Sequence, residues 1–143
     1  MSMKNSRGFT LIELLIVMII LGLLAALVGP RMFGKIGKSK QQAARAQISM
    51  FETALETYRL DVGTFPTEAK GLEALRRPPA GAKNWDGPYL PKEVPPDPWG
   101  NPYIYRYPSQ NSDFEIISYG ADGRSGGEGE NADIVNWKNP GDS

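Results

Sequence analysis

The residues best suited to hold a cation lie in an acidic, glycine-rich loop late in the chain. Asp122 and Asp133 bracket this loop, and four glycines lie between them. Calcium takes about six to eight oxygen ligands, and glycines let backbone carbonyls turn inward without a side-chain clash. The twelve-residue span is that of an EF-hand, but the alternating Asp/Asn pattern is absent and the flanks are strand-like. The loop is therefore not an EF-hand, and its residues alone favour a solvated turn over a cation site.

Another acidic residue with a possible chemical role is Glu13, which immediately precedes an uncharged apolar run over residues 14–28. A helix over residues 9–30 would be about 33 Å long at about 1.5 Å per residue, enough to cross a hydrocarbon core of about 30 Å. A carboxylate near the centre of a membrane helix costs about 2.5–3.5 kcal/mol and usually has a partner. Cleavage after Gly8 would place a cationic amine on Phe9, one helical turn from Glu13, and would supply that partner.

Two simpler interpretations explain less of this segment. A secretory signal begins with basic residues, as Lys4 and Arg7 provide, but residues 25–29 form a poor cleavage site and an acid inside the apolar region is atypical. A plain membrane anchor explains the length of the run but not the order Gly-Phe-Thr-Leu-Ile-Glu over residues 8–13.

Composition excludes several classes of function. The chain has 143 residues, with no cysteine and no histidine, so disulfides, thiol nucleophiles and histidine-based zinc sites or triads are excluded. Sixteen basic and sixteen acidic side chains cancel, so no net field attracts nucleic acid. About a hundred residues remain for a globular head, which predicts a thin core without a covalent staple. We expect a chain that is not an enzyme.

The elements that would position these residues can be read from periodicity. Apolar residues at helical spacing predict an amphipathic helix that ends at Gly63 and has one core-facing stripe: Ala44, Ile48, Phe51, Leu55, Tyr58 and Val62. Pro30, at the junction with the apolar run, predicts a kink or break.

The C-terminal half reads as short elements around a long irregular segment. A short helix is predicted over residues 67–75 with Thr67 as its N-cap. Nine prolines over residues 78–108 predict an ordered loop held by Trp85, Tyr89 and Trp99. Strands are expected over residues 103–107, 113–119 and 134–137.

The N-terminal order of residues resembles the class III leader of type IV pilins and pseudopilins. This resemblance implies that a prepilin peptidase cuts between Gly8 and Phe9 and methylates Phe9. It also implies that Glu13 is needed for subunits to join a filament, and that Pro30 bounds a segment, residues 22–30, that is often unwound there.

Further motifs resemble the major pseudopilin family of type II secretion, and they lie at residues 64–67, 71–75, 87–90, 97–103 and 118–123. The implied fold class is α+β and type IV pilin-like, with a long N-terminal helix packed on a small antiparallel sheet. The implied organisation is a cleaved leader (1–8), a transmembrane and filament-core half-helix (9–30), an amphipathic half-helix (31–63) and a head (64–143).

The resemblance also implies a function and a set of partners. The chain would be a structural subunit, held as a single-pass protein in the bacterial inner membrane with its head in the periplasm. It would leave membrane lipid to form a homopolymeric pseudopilus, aided by minor pseudopilins, an inner-membrane platform and its ATPase. The alternatives are a type IV pilus or DNA-uptake pilin, although such pilins usually carry a disulfide, and a membrane-anchored binding module.

The resemblance changes the interpretation of the acidic loop, since major pseudopilins carry calcium there. It implies that Asp122 and Asp133 are side-chain ligands of calcium and that carbonyls such as those of Tyr119 and Ser125 complete the shell. Glu128 and Glu130 are expected to face water.

Overall fold

The computed structural model of the protein describes residues 8–138, and residues 1–7 and 139–143 lie outside this part. Most of the predicted leader and the last five residues of the predicted head therefore fall outside the described residues. The described chain forms one α-helix and three strands: α1 (Leu11–Val62), β1 (Ile104–Arg106), β2 (Glu115–Ser118) and β3 (Ile134–Val135). The chain divides into two compact units, the first ending at Ile36 and the second beginning at Gly37.

Helix α1 begins with two reciprocal hydrogen bonds between Thr10 and Glu13. Glu13 N donates to Thr10 Oγ1 at 3.2 Å, and Thr10 N donates to Glu13 Oε2 at 3.4 Å. This capping box satisfies two backbone N–H groups near the helix start. The helix therefore begins at Leu11, two residues later than predicted, because Thr10 acts as the cap.

Pro30 lies inside α1, and the helix continues through it. Of the predicted kink or break, the break is therefore wrong for the single chain, since Leu27 before the proline and Arg31 and Met32 after it favour helix. The predicted end of the helix is confirmed. Gly63 has a φ of +97° and donates to Arg59 O at 2.8 Å, as a glycine does directly after a helix.

In the first unit the helix is apolar on every side. By length and composition α1 includes a stretch that can cross a membrane, and none of that stretch is buried within the protein. The large apolar side chains of the described part of this unit are exposed, from Phe9 through Leu23 to Ile36. A soluble core helix would have buried one face, so this segment is built for a partner outside its own chain.

The second unit has a core formed by one face of α1. The predicted stripe is confirmed, since five of its members are buried and Val62 is partly buried against them. Phe51 and Tyr103 pack edge to face with ring centroids 5.1 Å apart. Ala54 of α1 also belongs to the core. The remaining core side chains come from the segments after the helix: Phe65, Leu72, Ala74, Leu75, Leu90, Tyr103, Tyr105, Phe114, Ile116 and Ile134.

The sheet is antiparallel, with strand order β1-β2-β3. Ile104 pairs with Ile117 between β1 and β2, and Ser118 pairs with Ile134 between β2 and β3. All four residues of β2 are buried, because this central strand is covered on both faces. Asn136 extends the ladder by one side chain, since its Oδ1 accepts from Ile116 N at 2.9 Å.

The long segment before the sheet is irregular, as predicted, and its aromatic residues pack against the core. Trp85 Nε1 donates to Ala74 O at 2.8 Å, and Tyr89 OH donates to Asp61 Oδ2 at 2.8 Å. The expected helix over residues 67–75 is only a 3₁₀ helix over Gly71–Leu75. Thr67 accepts turn hydrogen bonds through its backbone carbonyl, so its predicted capping by the side chain is wrong.

Candidate functional sites

The predicted processing and assembly residues lie at the start of the first unit. Gly8, Phe9 and Glu13 are all exposed, and Gly8 and Phe9 precede the helix. The Glu13 carboxylate contacts the backbone of Thr10, so it caps its own helix in the single chain. A hydrogen bond of 3.4 Å at an exposed site is weak, and the carboxylate therefore stays accessible to a stronger cationic partner.

The acidic loop runs from the end of β2 to the start of β3, and its two limbs are joined across glycines. Ala121 N donates to Glu130 O at 2.9 Å. A Cβ built on Gly120, whose φ is +74°, would lie 2.7 Å from Glu130 O and 2.8 Å from Ala132 O. Only glycine leaves room for this approach, so Gly120 sets how closely the limbs meet.

The two aspartates proposed as ligands anchor opposite limbs of this loop. Asp122 is exposed, and its Oδ1 accepts from Arg124 N at 3.1 Å. Asp133 is partly buried, and its Oδ2 accepts from Gly126 N at 3.0 Å, which ties it to the glycine-rich limb. Its other oxygen, Oδ1, is buried and has no hydrogen-bond partner among the described residues. A buried acceptor without a donor is costly, and a cation would satisfy it.

The other predicted ligands lie on the same limb as Asp122. Tyr119 follows β2 directly and is partly buried, while its hydroxyl accepts from the Arg106 guanidinium at 3.3 Å. Ser125 lies in the exposed bend between the two aspartates. Across the described residues no three carboxylates gather into one metal cluster. A cation held here would therefore need backbone carbonyls in addition to carboxylates, a mixture of oxygen ligands that calcium accepts.

Glu130 lies against helix α1 within the second unit, a contact that its sequence position did not predict. A Cβ built on Gly37 would overlap Glu130 Oε1, so the glutamate end occupies the space that Gly37 leaves open. Next to it, Gln41 Nε2 donates to Gly129 O at 2.6 Å. Glu130 is exposed as a whole, in line with the expectation that it faces water, but its carboxylate end contacts the helix.

Asp97 is a further polar centre, and sequence reasoning missed its role. Its side chain is 3% exposed and accepts three hydrogen bonds. Trp99 N and Asn101 N donate to Oδ1 at 3.1 and 2.8 Å, and Ser118 Oγ donates to Oδ2 at 2.7 Å. The order Asp-Pro-Trp-Gly over residues 97–100 is a turn signal, but nothing local indicates that the carboxylate is buried.

The buried Asp97 carboxylate affects the pKa of the neighbouring Tyr103. Burial raises the pKa of Tyr103, and the Asp97 carboxylate raises it further. Burial likewise raises the pKa of Tyr105, whose hydroxyl donates to Pro66 O at 2.8 Å. Both phenols therefore stay neutral donors throughout the physiological range. The Tyr103 hydroxyl donates to Gln47 Oε1 of α1, and the Tyr105 hydroxyl holds β1 to the segment after α1.

Comparison with known proteins finds similarity over nearly the whole chain. Residues 31–137 match the family described as type II secretion system (T2SS), protein G, and residues 3–29 match the prokaryotic N-terminal methylation motif. A type II secretion system core protein G of Pseudomonas aeruginosa is 43% identical over 97% of this chain and all of its own. That of Vibrio cholerae is 44% identical over 94% of each chain.

A solved structure matches as well. The crystal structure of the major pseudopilin from the type 2 secretion system of enterohaemorrhagic Escherichia coli is 35% identical to this chain. The match has a TM-score of 0.61 and covers 76% of this chain and 95% of the other. The predicted fold class, one long N-terminal helix with a small antiparallel sheet in a type IV pilin-like arrangement, is confirmed.

Proposed function

This chain belongs to the protein G family of the type II secretion system, the major pseudopilins, and we propose that it acts by polymerising through its apolar N-terminal helix into the secretion pseudopilus. The observation that carries this proposal is the first unit. Its large apolar side chains are exposed along the whole described length. Burying apolar surface stabilises by about 25 cal/mol per Å², so this helix gains most when lipid, and then other subunits, surround it.

We infer that the chain waits in the bacterial inner membrane as a single-pass protein with its head in the periplasm. A prepilin peptidase cleaves between Gly8 and Phe9 and methylates the new amine, which agrees with the methylation motif over residues 3–29. Minor pseudopilins, an inner-membrane platform and its ATPase would then build the filament. The chain itself carries no catalysis in this scheme, and its sequence has no histidine or cysteine to provide a general base or thiol nucleophile.

In the filament, Glu13 would meet the Phe9 amine of an incoming subunit. The weak capping bond to Thr10 N is easily exchanged for a charge-assisted one. A buried carboxylate without a partner is strongly destabilising, whereas a matched pair roughly offsets the cost of desolvation. Glu13 therefore favours docking only in the register that brings it to an amine. Pro30 would allow residues 22–30, helical in the single chain, to unwind as subunits pack.

The acidic loop would hold calcium. Asp122 and Asp133 would be its side-chain ligands, and the carbonyls of Tyr119 and Ser125 would complete the shell. The unpartnered Oδ1 of Asp133 supports this assignment. Bound calcium would supply the closure of the loop that a disulfide cannot supply in a chain without cysteine.

Polymerisation is tested by producing the full chain together with a type II secretion machinery and collecting sheared filaments. Wild type should yield filaments whose subunits begin with methylated Phe9 by mass spectrometry. Glu13→Leu should be inserted in the membrane and processed, yet give no filaments, because the charge pair is lost. Arg31→Leu, which changes a charge outside the apolar run, is the control and should still polymerise.

The same experiment separates the proposal from its rivals. Normal filament yield from Glu13→Leu would contradict the pairing role. Long surface fibres would instead indicate a type IV pilus, and the absence of any filament from wild type would favour a membrane-anchored binding module.

A further inference from the structure

Asp97 is a buried carboxylate that no salt bridge compensates among the described residues. Its three hydrogen-bond donors come from two parts of the chain. Trp99 N and Asn101 N belong to the turn that follows Asp97 itself, and Ser118 Oγ belongs to the last residue of β2. A buried carboxylate needs all of its donors, since each lost donor leaves an acceptor unsatisfied. Asp97 therefore holds this turn and the end of β2 together.

The same group of residues continues into the first limb of the acidic loop. Ser118 Oγ accepts from Gly120 N at 3.4 Å, and Asn101 Nδ2 donates to Gly120 O at 3.4 Å. A Cβ built on Gly123 would lie 3.2 Å from Asn101 Nδ2, so the Asn101 amide also packs on the turn around Asp122. Asp97 is thus linked indirectly to both ends of residues 120–123, because its partners Ser118 and Asn101 contact Gly120 and Asn101 also packs on Gly123.

We propose that Asp97 is a positioning residue for the cation loop. By fixing residues 120–123 before the cation arrives, it sets the direction of the Tyr119 carbonyl and the Asp122 side chain. A ligand set that is already in place loses less conformational entropy on binding, so the affinity rises. This inference rests on the calcium site proposed above, and it assigns to residues outside the loop a part in calcium binding.

The hydroxyl of Ser118 offers the cleanest test, because Ser118→Ala removes one of the two links to the loop and leaves both backbone donors on Asp97. A matched control exists at the other end of β2. Ser109 Oγ donates to Glu115 Oε2 at 3.3 Å, so it too is a serine hydroxyl on a buried carboxylate, but it does not contact the acidic loop. Ser109→Ala therefore reports the general cost of losing such a bond.

The measurement uses the full chain in detergent micelles. Calcium affinity is determined by titration calorimetry, and loop order by the rate of trypsin cleavage after the exposed Arg124, in calcium and in chelator. For Ser118→Ala we expect the Kd for calcium to rise about tenfold, which corresponds to about 1.4 kcal/mol. Cleavage after Arg124 should be faster than in wild type under both conditions. Ser109→Ala should change neither quantity.

Asp97→Asn serves as a second variant, because an amide keeps one oxygen for the two backbone donors and loses the charge-assisted bond to Ser118. Asp97→Asn should also raise the Kd for calcium. It replaces Ser118→Ala in the test if circular dichroism shows that Ser118→Ala is unfolded. A wild-type Kd in the folded variant would overturn the positioning role. A wild-type chain that neither binds calcium nor is protected by it would overturn the calcium site itself, and the positioning role with it.

Discussion

The two halves of α1 belong to one continuous helix but differ in whether their apolar side chains are buried. Over residues 11–36 the helix is apolar on all sides and its side chains are exposed, whereas over residues 37–62 one stripe is apolar and buried. An apolar side chain is stable only where something covers it. In the second half the cover comes from the same chain, and in the first half it has to come from other molecules. Two neighbouring segments of one helix thus depend on different molecules for their stability.

Acidic residues show the same contrast. Glu13 is exposed and makes one weak bond to the helix start, so its carboxylate is free to change partner. Asp97 is buried, and three donors of its own chain satisfy it. The first arrangement suits a residue that acts between molecules, and the second suits a residue that positions a site within one molecule.

The largest expected effect comes from making the same substitution in both halves of α1. Leu55 is 0% exposed, so Leu55→Ala should lower the free energy of unfolding of the head by about 2–5 kcal/mol. Leu23 is 64% exposed in the single chain, so Leu23→Ala should leave thermal melting in detergent unchanged and reduce filament yield instead. Equal effects of the two substitutions on melting would contradict the division of the helix.

Calcium should act on the second unit alone. At a hundredfold excess over Kd, binding should stabilise the head by about 2.7 kcal/mol, which is large beside a typical net stability of about 5–15 kcal/mol. Chelator should therefore lower the Tm. Asp133→Ala should lower it at least as far, because the hydrogen bond from Gly126 N is lost as well, and it should abolish the response to calcium. Magnesium should rescue poorly, because it demands a tighter octahedral shell. Identical melting curves with calcium and chelator would mean that the loop is a solvated turn.

Gly34 and Gly37 lie in different halves of α1 and provide a test of the difference between the halves with a smaller expected effect. A Cβ at Gly34 would meet no atom within 4 Å, whereas a Cβ at Gly37 would displace the carboxylate end of Glu130. Replacing a helical glycine by alanine stabilises by about 0.5–1 kcal/mol when nothing obstructs the new methyl group. Gly37→Ala should therefore gain less than Gly34→Ala, and it alone should speed trypsin cleavage after Arg124. If Gly37→Ala left the cleavage rate unchanged, the contact with Glu130 would have no part in ordering the loop.

The smallest expected effect is the pH dependence at Glu52, on the second half of the helix. Burial raises the pKa of this carboxyl, and the nearby Glu56 raises it further. The folded state therefore holds the proton more tightly than the unfolded chain, so stability is lost as pH rises from the ordinary value of about 4.5 through the raised pKa. Glu52→Gln should raise the Tm slightly at neutral pH and leave it unchanged below about pH 4. A lower Tm at neutral pH would contradict this sign.

Sequence reasoning predicted the elements whose signals are local or periodic. The stripe from Ala44 to Val62, the stop at Gly63 and the three short strands are confirmed because side-chain period and turn residues report them directly. The break allowed at Pro30 and the side-chain cap at Thr67 were wrong. Pro30 does not break the helix, because helix-favouring residues near the proline keep the chain helical. Thr67 does not cap a helix with its side chain, because only a short 3₁₀ helix forms after it, beginning at Gly71.

The contacts around the acidic loop could not be predicted in this way. Asp97 and Ser118 are 21 positions apart, and Gln41 and Gly129 are 88 positions apart. The sequence by itself determined which half of α1 would bury one face against the head. Apolar residues at helical spacing predict a single buried face, whereas an uninterrupted apolar run predicts an apolar surface on all sides. Only the tertiary structure decided which distant side chains meet at the loop, because burial of Asp97 and the space above Gly37 exist only after segments remote in sequence have packed together.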